Sequence, residues 1–403
     1  MRTLSLCLLS ATALASPALA DPVVIKPLID ARIRYEGVDQ KGIANNAEAI
    51  TIRVRTGFEL SSGPFALLAE AESTMALDGD YNSGVNGNGA FPIVADPQNI
   101  ELNRLQLQFK GLPKTLVTVG RQRINLDDQR FVGAVGWRDN EQTFDAARIE
   151  WTGIKNVKAD VTYAWSDRTI WGIDGFGARQ TAVDGDNVFA NLSYKHKYGT
   201  LTGFAYLVDQ DEVAVQGFAL SSQTYGVRFA GAAPLSKSVK ITYIASYARQ
   251  SDYHRNLNNY EANYYFGELG VEVKAFKLAG GYEVLGADNG GALTSFQTPL
   301  ATLHKFNGWA DKFVTTPPNG LRDLYVTGGY GWKKVGPFDQ IGVNAAYHQY
   351  DSDRLSLDYG SEINLQLAAK FGKFTALAKY ADYQAKAFAT DTTKLWFSLE
   401  WAY

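Results

Sequence analysis

Arginines two residues apart recur in the first third of the chain: Arg32 with Arg34, Arg53 with Arg55 and Arg121 with Arg123, while Arg104 and Arg148 stand singly. A guanidinium stays charged at any relevant pH and presents a planar fork of donors that grips carboxylate or phosphate bidentately. On extended backbone, a spacing of two puts both members of a pair on one face. Acidic residues follow the same periodicity, among them Asp30, Glu59, Glu70, Glu72 and Glu150. Such a face has two uses. Arginine and acid can pair across neighbouring strands and stiffen the wall, or the guanidiniums can form a path along which anionic groups are held loosely and handed on. The two coexist where a field across the wall needs both signs.

The elements that position these residues are strands. In Ala49 to Leu60, Ile50, Ile52, Val54, Phe58 and Leu60 occupy one face and Thr51, Arg53, Arg55 and Glu59 the other, a period of two that predicts a half-buried strand. Similar alternation marks eighteen candidate strands, near 23–37, 47–61, 64–77, 100–110, 115–123, 141–151, 156–168, 185–196, 199–209, 219–232, 237–250, 259–273, 275–286, 323–334, 337–350, 356–371, 373–384 and 391–403. Even-to-odd links are short, as at Ser62-Gly63, Gly336 and Gly372, whereas odd-to-even links near 78–99, 124–140, 169–184 and 287–322 are long. That alternation is the signature of a transmembrane antiparallel β-barrel with short periplasmic turns and long extracellular loops. The final strand fits: Tyr403, Trp401, Leu399, Phe397 and Leu395 face one way, and Ala402, Glu400, Ser398, Trp396 and Lys394 the other. It resembles the terminal strand that outer-membrane barrels present to their barrel-assembly machinery. An all-β barrel of about 18 strands encloses an aqueous channel rather than a side-chain-filled core.

Residues 1–20 read as a secretory signal: Arg2, an apolar run from Leu4 to Leu14, and Ala18-Leu19-Ala20 before Asp21. The barrel is then a single domain over 21–403. Cleavage removes the only cysteine, Cys7, and with Arg2 gone leaves 38 basic against 42 acidic side chains, a net charge of −4. Neither a disulfide framework nor a nucleic-acid partner fits those values, and an outer membrane of a Gram-negative bacterium is the expected location. With the polar face inward, Arg32, Arg34, Arg53, Arg55, Arg104 and Arg148 line the lumen. Arg121 and Arg123 join them if Val117 and Val119 belong to the same, unusually apolar, inner face. The histidines, His196, His254, His304 and His348, fall in no Gly-x-Ser-x-Gly or metal-ligand spacing, so no catalytic site, metal or cofactor is expected. Asp78-Gly-Asp80, Asp184-Gly-Asp186 and Asp351-Ser-Asp353 read as turns ahead of Ca²⁺ loops.

Two loops stand apart. One carries Gly120-Arg121-Gln122, Arg130 and Trp137-Arg138, and is followed by Thr143-Phe144-Asp145; the other carries Thr302, His304, Lys305, Gly308, Trp309, Asp311 and Phe313. In these motifs and their order the chain resembles the alginate-export family of outer-membrane porins. The resemblance implies an 18-stranded pore with an electropositive constriction that passes a uronate polymer, and loops that gate it. The family's alginate secretor closes its periplasmic end with a long turn, whereas every such link here is short, which sets passive movement of anionic oligosaccharides or small acids beside polymer export. The loop around His304 reads either as an inward-folded constriction, where Lys305 and Trp309 meet sugar carboxylates and rings, or as an external cap packed by Phe296, Phe306, Trp309 and Phe313.

Overall fold

Because the apolar half of each strand must face a nonpolar medium and the polar half must not, a single sheet can satisfy this chain only by closing on itself. The computed structural model describes residues 21–403, and the proposed signal segment lies outside the described residues. The strands are β1 (Val24–Gln40), β2 (Ala47–Ser62), β3 (Phe65–Ala76), β4 (Asn99–Phe109), β5 (Thr115–Gln122), β6 (Thr143–Trp151), β7 (Val157–Arg168), β8 (Ala182–His196), β9 (Gly199–Val208), β10 (Ser222–Pro234), β11 (Val239–Asp252), β12 (Glu261–Val273), β13 (Phe276–Leu285), β14 (Leu321–Val335), β15 (Phe338–Asp351), β16 (Asp358–Phe371), β17 (Phe374–Ala385) and β18 (Thr392–Ala402). Each pairs antiparallel with its sequence neighbours, and β1 pairs with both β2 and β18, so the 18-stranded sheet has no free edge. Closure runs from Asp30 opposite Ala402 to Gln40 opposite Thr392. That pairing carries β1 beyond residue 37, where its alternation fades.

The two faces sort as a lipid-embedded barrel requires. Ile33, Val54, Phe58, Leu105, Leu107, Ile149, Val161 and Tyr163 are exposed on the outside, while Arg32, Arg34, Thr51, Arg53, Arg55 and Glu72 are buried within. Among the described residues no helix is long and apolar enough to cross a membrane. The even-to-odd links are all tight; Ser62 pairs directly with Phe65, and the left-handed Gly63 (φ +54°) lets the strand reverse over Gly63-Pro64. Aromatics gather beside these turns, with Phe65 5.0 Å from Phe109, Phe338 5.9 Å from Phe371 and Tyr330 4.7 Å from Trp332, as an interfacial girdle does. Tyr403 closes that ring: its N–H donates to the Ile29 carbonyl at 3.0 Å, and the Lys373 ammonium lies 3.7 Å from its ring centre.

One turn expected from the sequence is absent. Asp184-Gly-Asp186 runs inside β8, where Gly185 passes so close under the Asp209 carbonyl that a Cβ would collide with it. Asp78 behaves as read, accepting from the Asp80 N–H at 3.1 Å.

Candidate functional site: a loop-filled lumen

Loop 123–142 and loop 286–320 do not cap the barrel from outside; both fold into it, which corrects the external-cap reading of the His304 loop. Phe296 and Phe313 are packed, as that reading required, but against inward strand residues. Phe296 meets Tyr264 at 5.4 Å and Phe313 meets Tyr350 at 4.5 Å. Ile124, Leu126 and Val132 from the first loop complete one apolar core with Phe144, Phe189, Phe204, Tyr383 and Trp396 of the wall.

Polar anchors fix how deep the loops sit. Arg32 donates from Nε (3.0 Å) and Nη2 (2.6 Å) to Asp139, and from Nη2 to the carbonyls of Trp137 and Arg138 at 2.9 Å each. Arg34 donates to the Trp137 carbonyl at 2.6 Å and pairs with Asp96 of loop 77–98. Arg55 pairs with Glu72 and donates to the Asp139 carbonyl at 3.2 Å. Arg123, just past the end of β5, pairs with Glu141. The first loop is thus threaded down the arginine wall of β1 and β2. Burial alone would raise the Asp139 carboxyl, but Arg34, Arg32 and the Thr51 hydroxyl overcome it and hold the group well below the carboxylate range.

Arg138 ties three loops and the wall together, reaching Glu36 at 3.2 Å, Asp96 at 3.3 Å and Asp311 at 2.9 Å. Asp311 also takes Lys394 at 3.2 Å and His304 Nδ1 at 2.8 Å. The His304 ring stacks on Trp137, centroids 4.4 Å apart and 6° from parallel. Burial pushes the imidazole down to about 3, with Lys379 and Arg138 adding to the effect against Asp311. The neutral ring therefore donates from Nδ1 to Asp311 and accepts at Nε2 from the Lys379 ammonium, 2.7 Å away. Lys379 projects from the middle of β17 and is walled by Trp309 at 3.8 Å and Trp137 at 4.0 Å. Arg130 of the first loop reaches the second: it pairs with Glu283 of β13 at 2.7 Å, donates to Asn307 at 3.1 Å and lies 4.8 Å from the Phe306 ring centre. Lys305 donates to the Asp128 carbonyl at 2.9 Å and is exposed.

The remaining arginines pair along the wall: Arg53 with Asp30 at 2.5 Å, Arg104 with Glu70 at 2.6 Å and Arg148 with Asp160 at 2.6 Å. Arg104 reaches the lumen because β4 bulges opposite Glu70 and Ala71, leaving Asn103 and Arg104 both turned inward. Arg121 is turned the other way. It lies opposite Leu105 on the outer face and forks onto Asp145 at 2.8 and 2.9 Å. Val119, of the same parity, is exposed there, so the condition for an inward Arg121 fails.

The constriction sets Arg32, Arg34, Arg53, Arg55, Arg104, Arg123, Arg138 and Lys394 against Asp30, Glu36, Glu70, Glu72, Asp96, Asp139, Glu141 and Asp311, and the formal charges cancel. What differs is which partner faces the lumen. The guanidinium is the more exposed in Arg123–Glu141 (31% against 1%), Arg104–Glu70 (15% against 4%) and Arg148–Asp160 (14% against 6%). Arg53–Asp30 has the opposite sense, 3% against 25%. Between the loops a vestibule of about 610 Å³ remains, lined by Arg138, His304, Asp311 and Lys394 and by Phe91, Ile170, Trp171 and Leu303. Among the described residues no group of three or more His, Cys, Asp or Glu is placed to hold a metal ion.

Sequence reasoning missed Glu36, Asp96, Asp139, Glu141, Glu283, Glu362 and Lys379. Lys379 alone gave a signal, a lone cation in the apolar run Ala376-Leu-Ala-Lys-Tyr-Ala381.

A closed 18-stranded barrel with inward-folded loops and a charged constriction is the architecture of an outer-membrane porin. The family model for alginate export matches residues 29–273, and the chain belongs to that family. The fold is shared with solved Pseudomonas aeruginosa structures: OccK9 (OpdG), 14% identical, TM-score 0.71, covering 94% of this chain and 98% of that one, and OpdO, 14%, 0.69, 94% and 97%. OccAB4 of Acinetobacter baumannii is similar at 13% identity and TM-score 0.66, covering 96% and 100%. No curated protein is significantly similar in sequence. The protein is thus a porin embedded in outer-membrane lipid of a Gram-negative bacterium.

Proposed function

We propose that this porin conducts small anionic saccharides and related acids by passive diffusion. The observation that carries this is the asymmetry of the lumen pairs. Where Arg123 and Arg104 meet their carboxylates, the guanidinium faces water and the acid lies behind it, so an electrically balanced wall presents positive charge to a passing solute there. Two deeply inserted loops favour monomeric or short saccharides over a polymer. Arg32, Arg34 and Arg55 contribute by seating the first loop, and Arg130, Trp137, Arg138, His304, Trp309 and Asp311 by fixing it to the second; Lys305 remains a candidate solute contact. The C-terminal strand, ending in Trp401 and Tyr403, suits recognition by the barrel-assembly machinery, and residues 1–20 suit a cleaved export signal.

The test is a planar bilayer carrying the refolded protein in a salt gradient. The expected reversal potential is anion-selective, with current reduced by added oligouronates. Arg104→Gln and Arg123→Gln together should move the reversal potential toward cations, most clearly at low salt, where charges are least screened. A reversal potential unmoved by the two substitutions would remove these arginines from selectivity.

A further inference from the structure

The lining of the vestibule carries an excess of one sign. Four cations, Arg138, Arg179, Lys312 and Lys394, line it with two acids, Asp167 and Asp311. Arg138 and Lys394 are held by Glu36, Asp96 and Asp311. Arg179 and Lys312 pair with no carboxylate among the described residues. Arg179 Nη1 donates to the Gly84 carbonyl at 2.8 Å, and the Lys312 ammonium donates to the side-chain oxygen of Gln40 at 3.1 Å. Nε and Nη2 of Arg179 make no hydrogen bond, and neither is sealed from solvent. That guanidinium is also held in place. It lies 5.0 Å from the Trp171 ring centre, and Trp171 packs so closely on Gly84 that a Cβ there would collide with the indole. Burial and Lys394 lower the Lys312 ammonium to about 8, which leaves it charged at neutral pH.

We propose that Arg179, held on Trp171, is the carboxylate-binding element of a capture subsite at the external mouth, and that Lys312 adds a second positive charge to the same cavity. A guanidinium with Nε and Nη2 free offers two parallel donors, the fork that matches a carboxylate. A hydroxyl brings no charge to it, and an ammonium is repelled. The two cations need not touch one group, because a cleft lined by one sign of charge concentrates the opposite sign throughout its volume. A largely apolar cavity of about 610 Å³ with few polar groups suits a solute of one sugar ring. The subsite rests on the reading of the channel as a path for acids, and places a first recognition step in the vestibule.

The test compares glucuronate, glucose and glucosamine, alike in ring and different in charge, added to the external side of the full-length channel in a bilayer. Glucuronate should block at the lowest concentration and glucosamine at the highest. Arg179→Gln should weaken the glucuronate block on the order of tenfold, the loss of one charge-assisted contact. Arg179→Lys, which keeps the charge and loses the fork, should fall between, and Lys312→Gln should weaken the block less, most clearly at low salt. Equal block by glucose and glucuronate, or block unchanged in both Arg179→Gln and Lys312→Gln, would overturn the subsite. Both residues lie outside the strands; if Arg179→Gln nevertheless fails to fold, Arg179→Lys and Lys312→Gln decide. A cation-selective reversal potential in the unaltered channel would overturn the acid-conducting reading instead. Saturation-transfer NMR of glucuronate with the detergent-solubilised protein then reads the subsite by itself: a signal lost in Arg179→Gln supports it, and no signal from the unaltered protein overturns it.

Discussion

His304 shows how a single side chain can set the state of a loop. Stacked on Trp137 and bonded to Asp311 and Lys379, it stays neutral down to about pH 3, whereas a histidine on a released loop titrates near 6.5. The released state therefore binds a proton over this interval that the seated state refuses, so acidification from about pH 6.5 favours release, by up to a few kcal/mol at the acid end. Asp311, held below the ordinary carboxylate range by His304, Lys394 and Arg138 against its burial, acts in the same sense lower down. Single-channel current should become larger and noisier as the external pH falls through 6 to 4, and His304→Gln should flatten that response. Gly308 is a second decisive residue. Its φ of +84° and its approach to the Glu362 carboxylate and Tyr350 hydroxyl leave no room for a Cβ. That approach lets Glu362 accept from the Trp309 and Ala310 N–H groups at 2.5 and 2.9 Å. Gly308→Ala should cost about 1–3 kcal/mol of loop seating, read as frequent long-lived opening to a larger conductance.

At the scale of elements, the arginine wall and loop 123–142 form one unit. Asp139 accepts from Arg32 and Thr51, and Arg34 holds the neighbouring carbonyl. Removing its charge leaves two buried guanidiniums undercompensated, a change worth about 3–5 kcal/mol in a buried pair. Asp139→Asn should unseat the loop and raise conductance. Deleting 296–313 should do so by about twofold or more, since an 18-stranded barrel cleared of loops is an open aqueous channel. An unchanged conductance in both would mean that solutes pass by a route these loops do not border. Arg121 illustrates the opposite constraint. A lone cation on the lipid face costs about 2–4 kcal/mol at mid-membrane, and here the outer guanidinium sits one residue from the end of β5 with Asp145 as a bidentate partner.

For the whole molecule, stability and selectivity are separable. The sheet closes through backbone pairing of β1 with β18, independently of the loops, while the loops add a core inside it. Unheated samples of Asp139→Asn and of the 296–313 deletion should therefore still migrate as folded barrels in detergent gels, even as their conductance changes. Migration as unfolded chain would show that the inner core holds the barrel closed.

Period-two alternation, the short and long links and the terminal aromatic strand were enough to determine a barrel of eighteen strands, because which face meets lipid is a local property that each strand carries in its own residues. The inward direction of Arg32, Arg34, Arg53 and Arg55 was legible for the same reason. Arg121 was not, because Val117 and Val119 share its parity and the expected polar inner face gave way to an apolar outer one. Nor was the destination of the loops: whether Phe296, Phe313 and His304 cap the mouth or descend into it depends on Glu36, Lys379, Glu362 and Trp396, which lie far away in sequence and meet the loops only after the sheet has closed. Local periodicity determined the container. The tertiary structure decided what fills it, since only closure brings carboxylates of the loops against arginines of the wall.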